Sequence, residues 1–317
     1  MRLPDRGRFA SKGVPMTQNA PRTAIISVSS HVIRGTVGNR ASAFALEALG
    51  FPVWSMPTVV LPWHPGHGPS TRMTFPDDMF EKAVDDLVAA PWIGEVRAVM
   101  TGYFGSPAQP AVMARLIRRL REVNPALVYL CDPVMGDFNG LYVPQATAEA
   151  IRDHLMPLAT IATPNRFEFG WLTGRTFESN AEMAGAAGDL GVETLVVTSA
   201  FPMMAKSTGT LLLSGKAALL AEHRLVEKAP NGLGDLFSAL FLAQRLRGPD
   251  EEALRLATAS VLEVLQKTVQ QQADELVLES AQESLARPLA SVSLRHLVVP
   301  SKNTRKSLGI ANPVASR

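Results

Sequence analysis

The chain has 317 residues, of which 46% are hydrophobic and 19% charged, so it is long enough to bury a sizeable core. Its single cysteine, Cys131, excludes an intramolecular disulfide and a cysteine-rich zinc site, and is typical of a reducing, cytoplasmic setting. No apolar run approaches the roughly 18 residues of a membrane-spanning helix, and the N-terminus lacks the apolar core of a secretory signal.

The net charge of +2 is unevenly distributed along the chain. Residues 1–22 and 301–317 each carry a net charge of +4, which leaves −6 for the part between them. Both ends lack apolar periodicity, which predicts a disordered N-terminal extension (1–22) and a disordered basic C-terminal tail (299–317). A transit peptide is the alternative for residues 1–22, but Asp5 and the prolines argue against an amphipathic helix there. Nucleic acid is therefore not favoured as a partner, and a single domain is predicted over 23–298.

Between the two ends, short β-rich runs alternate with helical patterns. Strands are predicted at 23–29, 52–60, 96–101, 127–131, 159–163 and 193–198, helices at 39–49, 77–89, 107–122, 165–173 and 180–190, and a hairpin at 208–225 before a mostly helical remainder. This alternation predicts an α/β fold, with a doubly wound, mostly parallel sheet and helices on both faces. Ligands of such sheets bind beyond the carboxyl ends of the strands, so polar residues just after each strand are candidate site residues.

The sequence Gly232-Leu233-Gly234-Asp235 opens an apolar helix and predicts a phosphate site that contains a base. Glycine lets backbone N–H groups approach a ligand, and the first turn of a helix offers unpaired donors to an anion. A carboxylate at Asp235 would repel a bound anion but would help an alcohol to lose a proton, which favours phosphoryl transfer to a hydroxyl group. The alternative is a glycine-containing loop with aspartate as a helix N-cap.

Further polar residues follow three of the predicted strands. Asp132 and Asp137 follow strand 127–131 and could hold a hydrated Mg²⁺, although a turn with a capping aspartate is the alternative. Asn165 and Glu168 follow strand 159–163 at helical spacing, which also fits a capping box. Thr198 and Ser199 end the next strand and could donate hydroxyl groups to nucleotide phosphates.

In their order along the chain, these segments resemble the pyridoxal kinases of the ribokinase superfamily. The resemblance covers about residues 23–298 and rests on the following segments: Ser30-His31-Val32, Gly35-Thr36-Val37-Gly38-Asn39, Thr58-Val59, Gly102-Tyr103-Phe104-Gly105-Ser106, Asp132-Pro133-Val134-Met135-Gly136-Asp137, Gly140-Leu141-Tyr142-Val143, Thr163-Pro164-Asn165 with Glu168, and Gly232-Leu233-Gly234-Asp235.

The resemblance implies ATP-dependent phosphorylation of the 5′-hydroxymethyl group of pyridoxal, and of pyridoxine and pyridoxamine, in vitamin B6 salvage. Asp235 would be the catalytic base in the catalytic loop formed with Gly232, Leu233 and Gly234, and the N–H groups of Leu233, Gly234 and Asp235 would receive the developing charge. The resemblance also implies Mg²⁺, leaves room for K⁺, and suggests a homodimer.

The remaining roles are also implied by the resemblance. The substrate would be lined by Ser30, Val32, Thr58 and Tyr103; the nucleotide by Asp132, Tyr142, Asn165, Glu168, Thr198, Ser199, Gly232 and Gly234; and the metal by Asp132, Asp137 and Glu168. Residues 62–68, which include His64 and His67, fall where the family has a small flap over the substrate; a zinc site there lacks a third ligand at suitable spacing.

Three features depart from the family pattern. Leu233 replaces the usual Thr or Val of the phosphate loop, which we expect to be tolerated because the backbone amide binds the phosphate. Residues 200–207 differ on the expected adenine side, and Arg34 and Arg40 flank the substrate turn, where we expect them to face solvent. Three alternatives remain open: a hydroxymethylpyrimidine kinase, a sugar kinase, and a catalytically idle B6-binding regulatory protein.

Overall fold

The computed structural model describes residues 23–298, so both predicted tails lie outside the described residues. The strands are β1 (Ala24–Val32), β2 (Val53–Leu61), β3 (Met73–Thr74), β4 (Val96–Thr101), β5 (Val128–Cys131), β6 (Gly136–Asp137), β7 (Gly140–Leu141), β8 (Ile161–Ala162), β9 (Thr194–Ala200), β10 (Ser207–Ser214), β11 (Ala217–Arg224) and β12 (Ser293–His296). The α-helices are α1 (Asn39–Ala48), α2 (Asp77–Ala89), α3 (Gln109–Val123), α4 (Gln145–Ala150), α5 (Arg166–Thr173), α6 (Asn180–Ala186), α7 (Leu233–Arg245), α8 (Asp250–Gln270) and α9 (Gln282–Ala286).

Ten of these strands form one sheet in the order β12-β11-β10-β9-β8-β5-β4-β1-β2-β3. Every pair from β9 through β2 is parallel, whereas β3 at one edge and β10, β11 and β12 at the other pair antiparallel. The mostly parallel α/β architecture predicted from the sequence is therefore confirmed. Strands β6 and β7 form a separate two-stranded sheet directly after β5.

Helices cover both faces of the sheet because its parallel strands are apolar on both sides. One hydrophobic core includes Phe80 of α2, Met113 of α3 and Phe169 of α5, and the other includes Leu46 of α1 and Phe241 of α7. Among the described residues, no helix is long and apolar enough to cross a membrane.

The predicted elements differ from the structure at a few places. The strand expected at 159–163 is only Ile161–Ala162, and the helix expected at 180–190 ends at Ala186 and continues as a 3₁₀ turn. A helical segment from Gln145 to Leu158, part of it π-helical, was not predicted. The C-terminal part also contributes β12, which is paired with β11 at the sheet edge.

Candidate active site

The phosphate loop predicted from the sequence forms the N-terminus of α7. Gly232 is the N-cap with φ +95°, and a Cβ at this position would lie 2.3 Å from the carbonyl oxygen of Thr36. Both the positive φ and the close approach require glycine. Because Gly232 has no side chain that could cap the helix, the N–H groups of the first turn remain available to an anion. Leu233 packs against the core beneath α7, so its backbone, not its side chain, belongs to the loop.

Asp235 lies in the first turn of α7, close to the start of α1 and the end of β4. The Gly38 N–H faces the Asp235 carboxylate, and a Cβ on Gly102 would lie 3.7 Å from Asp235 Oδ1. Burial raises the pKa of Asp235 to about 6, although N–H groups of Gly38 and of Asp235 itself act in the opposite direction. A carboxyl group with this pKa is mostly ionised at neutral pH and can accept a proton.

The predicted substrate residues of β1 lie next to the Gly38 turn. Ser30 is buried, and a Cβ on Gly38 would lie 2.4 Å from Ser30 Oγ. Val32 is fully buried in a small apolar cluster with Val37, against which Tyr103 packs. Because the Gly38 N–H also faces the Asp235 carboxylate, the turn lies between the predicted substrate residues and the predicted base.

Hydrogen bonds connect the ends of β1, β2 and β4 on the same side of the site. The buried Thr58 hydroxyl donates to the Tyr103 carbonyl at 2.7 Å, and the Tyr103 N–H donates to Ser29 Oγ at 3.1 Å. The Arg72 guanidinium lies 5.3 Å from the centre of the Tyr103 ring. Thr58 and Tyr103 are therefore brought together with Ser30 and Val32.

Asp132 lies beyond β5, close enough to Glu168 and Asp235 for their charges to act on it. Burial first, and then the negative charges of Glu168 and Asp235, raise the pKa of Asp132 well above its usual range. The Ser238 hydroxyl, one turn after Asp235 on α7, donates to Asp132 Oδ2 at 2.9 Å. Since the Ser238 proton is used in this way, the Thr163 hydroxyl donates to Ser238 at 2.8 Å.

Glu168 and Asn165 form the capping box that the sequence left as an alternative to a site role. Asn165 Oδ1 accepts from the Glu168 N–H, and Glu168 Oε2 accepts from the Asn165 N–H. Glu168 Oε1 also accepts from Met135 and Gly136 at 3.0 and 3.4 Å, so the carboxylate organises the loop after β5. Burial raises the pKa of Glu168 to about 7, and these N–H donors oppose the rise.

Asp137 and Tyr142 lie on either side of the β6–β7 turn. Asp137 Oδ1 accepts from the Asn139 N–H at 2.8 Å, which is the turn geometry that the sequence left open. Tyr142 is 53% exposed, and desolvation followed by the charges of Glu168, Asp132 and Asp235 raises the pKa of its hydroxyl. Tyr142 therefore lies near the acidic side chains of Asp132, Glu168 and Asp235.

Thr198 and Ser199 lie in the last three residues of β9, beside the Asn165 cap. Thr198 forms a parallel bridge with Asn165, and its N–H donates to the Pro164 carbonyl at 2.9 Å. Ser199 is exposed and has φ +53°, a left-handed conformation that is uncommon for serine. These residues extend the row of polar groups at the carboxyl edge of the sheet.

The flap lies between β2 and β3 and contains a 3₁₀ turn, Pro65–His67. His64 Nδ1 accepts from the Gly66 N–H at 3.0 Å, and burial lowers the pKa of His64. A Cβ on Gly66 would lie 3.0 Å from Asn231 Nδ2, so the flap reaches the phosphate loop. His67 Nε2 lies 2.7 Å from Glu275 Oε1. Arg34 is 56% exposed and pairs with Asp274, in line with the expectation that it faces solvent.

Sequence reasoning missed several residues that the structure connects to the site. Asn39 is buried and donates to the carbonyls of Ser29 and Met56, while its Oδ1 accepts from the Ser27 hydroxyl. Ser238 and Glu275 were also missed. Helical spacing from Asp235 could have indicated Ser238. No local pattern marks Glu275, because its partners are distant in the chain.

Comparison with known proteins places these features in a family. The phosphomethylpyrimidine kinase family model matches residues 68–278. The pyridoxal kinase PdxY of Deinococcus radiodurans is 34% identical over 286 residues, covering 86% of this chain and 96% of that protein. The pyridoxine/pyridoxal/pyridoxamine kinase of Bordetella avium is 36% identical over 279 residues, covering 86% and 94%.

Solved structures agree with the sequence relatives. Leishmania donovani pyridoxal kinase, in complex with ADP and pyridoxamine, superposes with a TM-score of 0.82 at 26% identity, covering 87% of this chain and 99% of that one. A putative phosphomethylpyrimidine kinase of Bacteroides thetaiotaomicron has the same fold, with a TM-score of 0.79 at 22% identity. The fold and the site thus define a ribokinase-like small-molecule kinase. Within that class, the chain belongs to the pyridoxal kinase family.

Proposed function

We propose that this chain transfers the γ-phosphoryl group of ATP to the 5′-hydroxyl of pyridoxal, and also accepts pyridoxine and pyridoxamine. The observation that carries the proposal is the position of Asp235. It lies at the open N-terminus of α7 and contacts the Gly38 turn, which packs against Ser30. Phosphoryl transfer to an alcohol needs a base that lies between an anion-binding helix N-terminus and the residues that bind the alcohol. Asp235 has this position.

Asp235 accepts the proton of the substrate hydroxyl as the new phosphorus–oxygen bond forms. An alcohol is far less acidic than a carboxyl group, so proton transfer accompanies bond formation and does not precede it. The N–H groups of Leu233, Gly234 and Asp235 stabilise the negative charge of the transferred group, because they are directed by the helix and need no rearrangement. Ser30, Val32, Thr58 and Tyr103 hold the pyridine ring so that its hydroxymethyl group faces Asp235.

The nucleotide lies along the carboxyl edge from β5 to β9 in this proposal. Asn165, Thr198 and Ser199 supply amide and hydroxyl groups to its phosphates, and Tyr142 borders them from the β6–β7 turn. Gly232 leaves the helix N-terminus uncapped, and Gly234 leaves room for the phosphate that is transferred, since nothing lies within 4 Å of a Cβ built on Gly234.

The acidic side chains of Asp132, Glu168 and Asp235 fit a magnesium ion that binds together with the nucleotide. The negative charges of Glu168 and Asp235 add to burial in raising the pKa of Asp132, which is the electrostatic setting that a divalent cation relieves. However, residues 23–298 contain no group of three or more His, Cys, Asp or Glu side chains that could hold a metal ion without other ligands.

We therefore propose that Asp132 and Glu168 hold the ion together with ATP oxygens and water, and that Asp137 contributes only through its charge. When bound, Mg²⁺ neutralises charge on the triphosphate. A K⁺ requirement, a homodimer and a cytoplasmic setting are further proposals from the family. Activity with K⁺ against Na⁺, light scattering and cell fractionation test them.

The phosphomethylpyrimidine kinase model supports a second candidate, a kinase for a hydroxymethylpyrimidine. That match begins at residue 68 and so omits the segment that carries Ser30, Val32 and Thr58. It therefore covers the phosphate-transfer parts, which serve any primary alcohol. The relatives that match across 83–86% of the chain are named for pyridoxal or for all three B6 vitamers, which favours the B6 reading.

ATP turnover with pyridoxal, pyridoxine, pyridoxamine, hydroxymethylpyrimidine and ribose decides between these candidates. We expect turnover with the B6 vitamers and its loss in Asp235→Asn. The matched control is Asp153→Asn, which neutralises an exposed aspartate on the segment after α4. Turnover only with the pyrimidine or ribose would reject the B6 assignment, and binding without turnover would indicate the idle B6-binding protein.

A further inference from the structure

The Glu275 carboxylate, in the segment after α8, contacts two loops that border the site. Its Oε2 accepts from the backbone N–H of Thr36 at 3.0 Å, and its Oε1 lies 2.7 Å from His67 Nε2 in the flap. Only 14% of the side chain is exposed. A mostly buried carboxylate that accepts a backbone N–H on one oxygen and an imidazole N–H on the other is held in one orientation.

The Gly35–Val37 turn is fitted closely around this carboxylate. Gly35 has φ +112°, and a Cβ on it would lie 2.5 Å from Glu275 Oε1 and 2.9 Å from Oε2. Any other residue at this position would therefore displace the carboxylate or the turn. The close approach makes the position of the turn depend on Glu275.

The opposite side of the same turn packs on the phosphate loop. The Thr36 carbonyl oxygen would lie 2.3 Å from a Cβ on Gly232, the N-cap of α7. The flap meets the preceding residue, since a Cβ on Gly66 would lie 3.0 Å from Asn231 Nδ2. Glu275 is thus linked to the phosphate loop through Thr36, and to the flap through His67.

We infer that Glu275 is a positioning residue that ties the flap to the phosphate loop. It does not touch the reacting atoms. It holds the Gly35–Val37 turn against Gly232 with one oxygen and the flap with the other, so that flap and phosphate loop share one anchor. The kinetic part of the inference rests on the proposed function, whereas the structural part does not.

The neighbouring ion pair shows why Glu275 differs from an ordinary surface charge. Arg34 and Asp274 pair at 2.7 Å, but their side chains are 56% and 60% exposed. Exposed pairs of this kind contribute little to stability, because water and salt screen them. Glu275 instead satisfies a backbone donor at the turn that supports Gly232, so its loss leaves that donor without a partner.

The test combines hydrogen exchange of the free protein with steady-state kinetics. We expect Glu275→Ala to speed amide exchange in both the flap (62–68) and the phosphate loop (231–236), and His67→Ala to speed it only in the flap. In turnover of pyridoxal, Glu275→Ala should lower kcat about tenfold or more, because small displacements of reacting groups are costly. His67→Ala should raise KM and leave kcat within about twofold.

Two conservative variants and a control complete the test. Glu275→Gln should be close to wild type, because its amide oxygen accepts from Thr36 and its NH₂ group can donate to the other His67 tautomer. Glu275→Asp, one methylene shorter, cannot reach both partners and should speed flap exchange even if the alanine variant does not fold. The control is Glu279→Ala, an exposed glutamate four residues away, which should match wild type.

The inference is overturned by unchanged phosphate-loop exchange in Glu275→Ala, by native exchange in Glu275→Asp, or by a kcat in Glu275→Ala within twofold of wild type. Exchange is measured without substrate, so it tests the junction even if pyridoxal is not turned over. Failure of the proposed function would instead appear as absent turnover in the wild-type protein.

Discussion

The pKa of Asp235 leads to a specific prediction about how turnover depends on pH. With a pKa of about 6, Asp235 is about 10% ionised at pH 5 and about 90% ionised at pH 7. If the ionised form accepts the substrate proton, kcat/KM, which reports the enzyme before substrate binds, should rise about tenfold between these pH values. An aspartate with an ordinary pKa near 3.9 would be roughly 90% ionised already at pH 5, and kcat/KM would change little.

The assay is kcat/KM for pyridoxal from pH 5 to 8, with circular dichroism at each pH to verify folding. Asp153→Asn should reproduce the wild-type profile. Asp235→Asn should lose about 10²–10⁴ in kcat, which corresponds to about 3–5 kcal/mol of barrier, and its residual rate should not rise across this range. A wild-type profile that is flat from pH 5 to 7, or an Asp235→Asn profile that keeps the rise, would refute the reasoning.

The same pKa has a consequence for stability. The folded-state pKa of Asp235 lies above its unfolded value of 3.8, so the folded state binds this proton more tightly. The resulting stabilisation is present below about pH 4 and is lost as the pH rises through about 6. Asp235→Asn removes the ionisation, so at pH 8 it should be more stable than wild type by no more than about 3 kcal/mol. Chemical denaturation at pH 8 and pH 4 measures the difference, which should be small at pH 4.

Three further predictions concern the framework of the site. Gly232→Ala should lower the free energy of unfolding by about 1–3 kcal/mol, because of its φ of +95° and its contact with Thr36, whereas Gly234→Ala should not lower it; equal melting temperatures would contradict this. Asn39→Leu should lower the free energy of unfolding by at least about 2 kcal/mol, because it leaves hydrogen-bonding groups of β1 and β2 without partners; urea denaturation measures it. A loss below about 0.5 kcal/mol, which is typical of a surface substitution, would contradict the prediction. Glu168→Gln should raise the KM for ATP and speed exchange at residues 134–137, because its amide cannot accept all the N–H groups that the carboxylate accepts; native exchange there would contradict it.

The sequence predicted most accurately the features that depend on residues close together in the chain. The alternation of apolar runs and amphipathic helices predicted α2 at its observed bounds and the β10–β11 hairpin within two residues. The two glycines before Asp235 predicted the start of α7, because a phosphate loop and a helix N-terminus share the same backbone requirement. The capping box of Asn165 and Glu168 was visible for the same reason, since its partners are three residues apart.

Features that depend on distant contacts were not predictable. Strand β12 is a four-residue segment, Ser-Leu-Arg-His, that is extended because it pairs with β11 at the edge of the sheet. Glu275 has partners 208 and 239 residues earlier in the chain, so no window of sequence reveals them. The separate roles of Asp132 and Glu168 were also not predictable, because only the structure shows that both carboxylate oxygens of Glu168 accept backbone N–H groups.

The most direct test of the central claim is to identify the product. Wild-type protein incubated with ATP, Mg²⁺ and pyridoxal should form pyridoxal 5′-phosphate and ADP in equal amounts, as measured by mass spectrometry and phosphorus NMR. Asp235→Asn, verified as folded, should form almost none in the same time. ADP formation without pyridoxal 5′-phosphate, or native product formation by Asp235→Asn, would contradict the account.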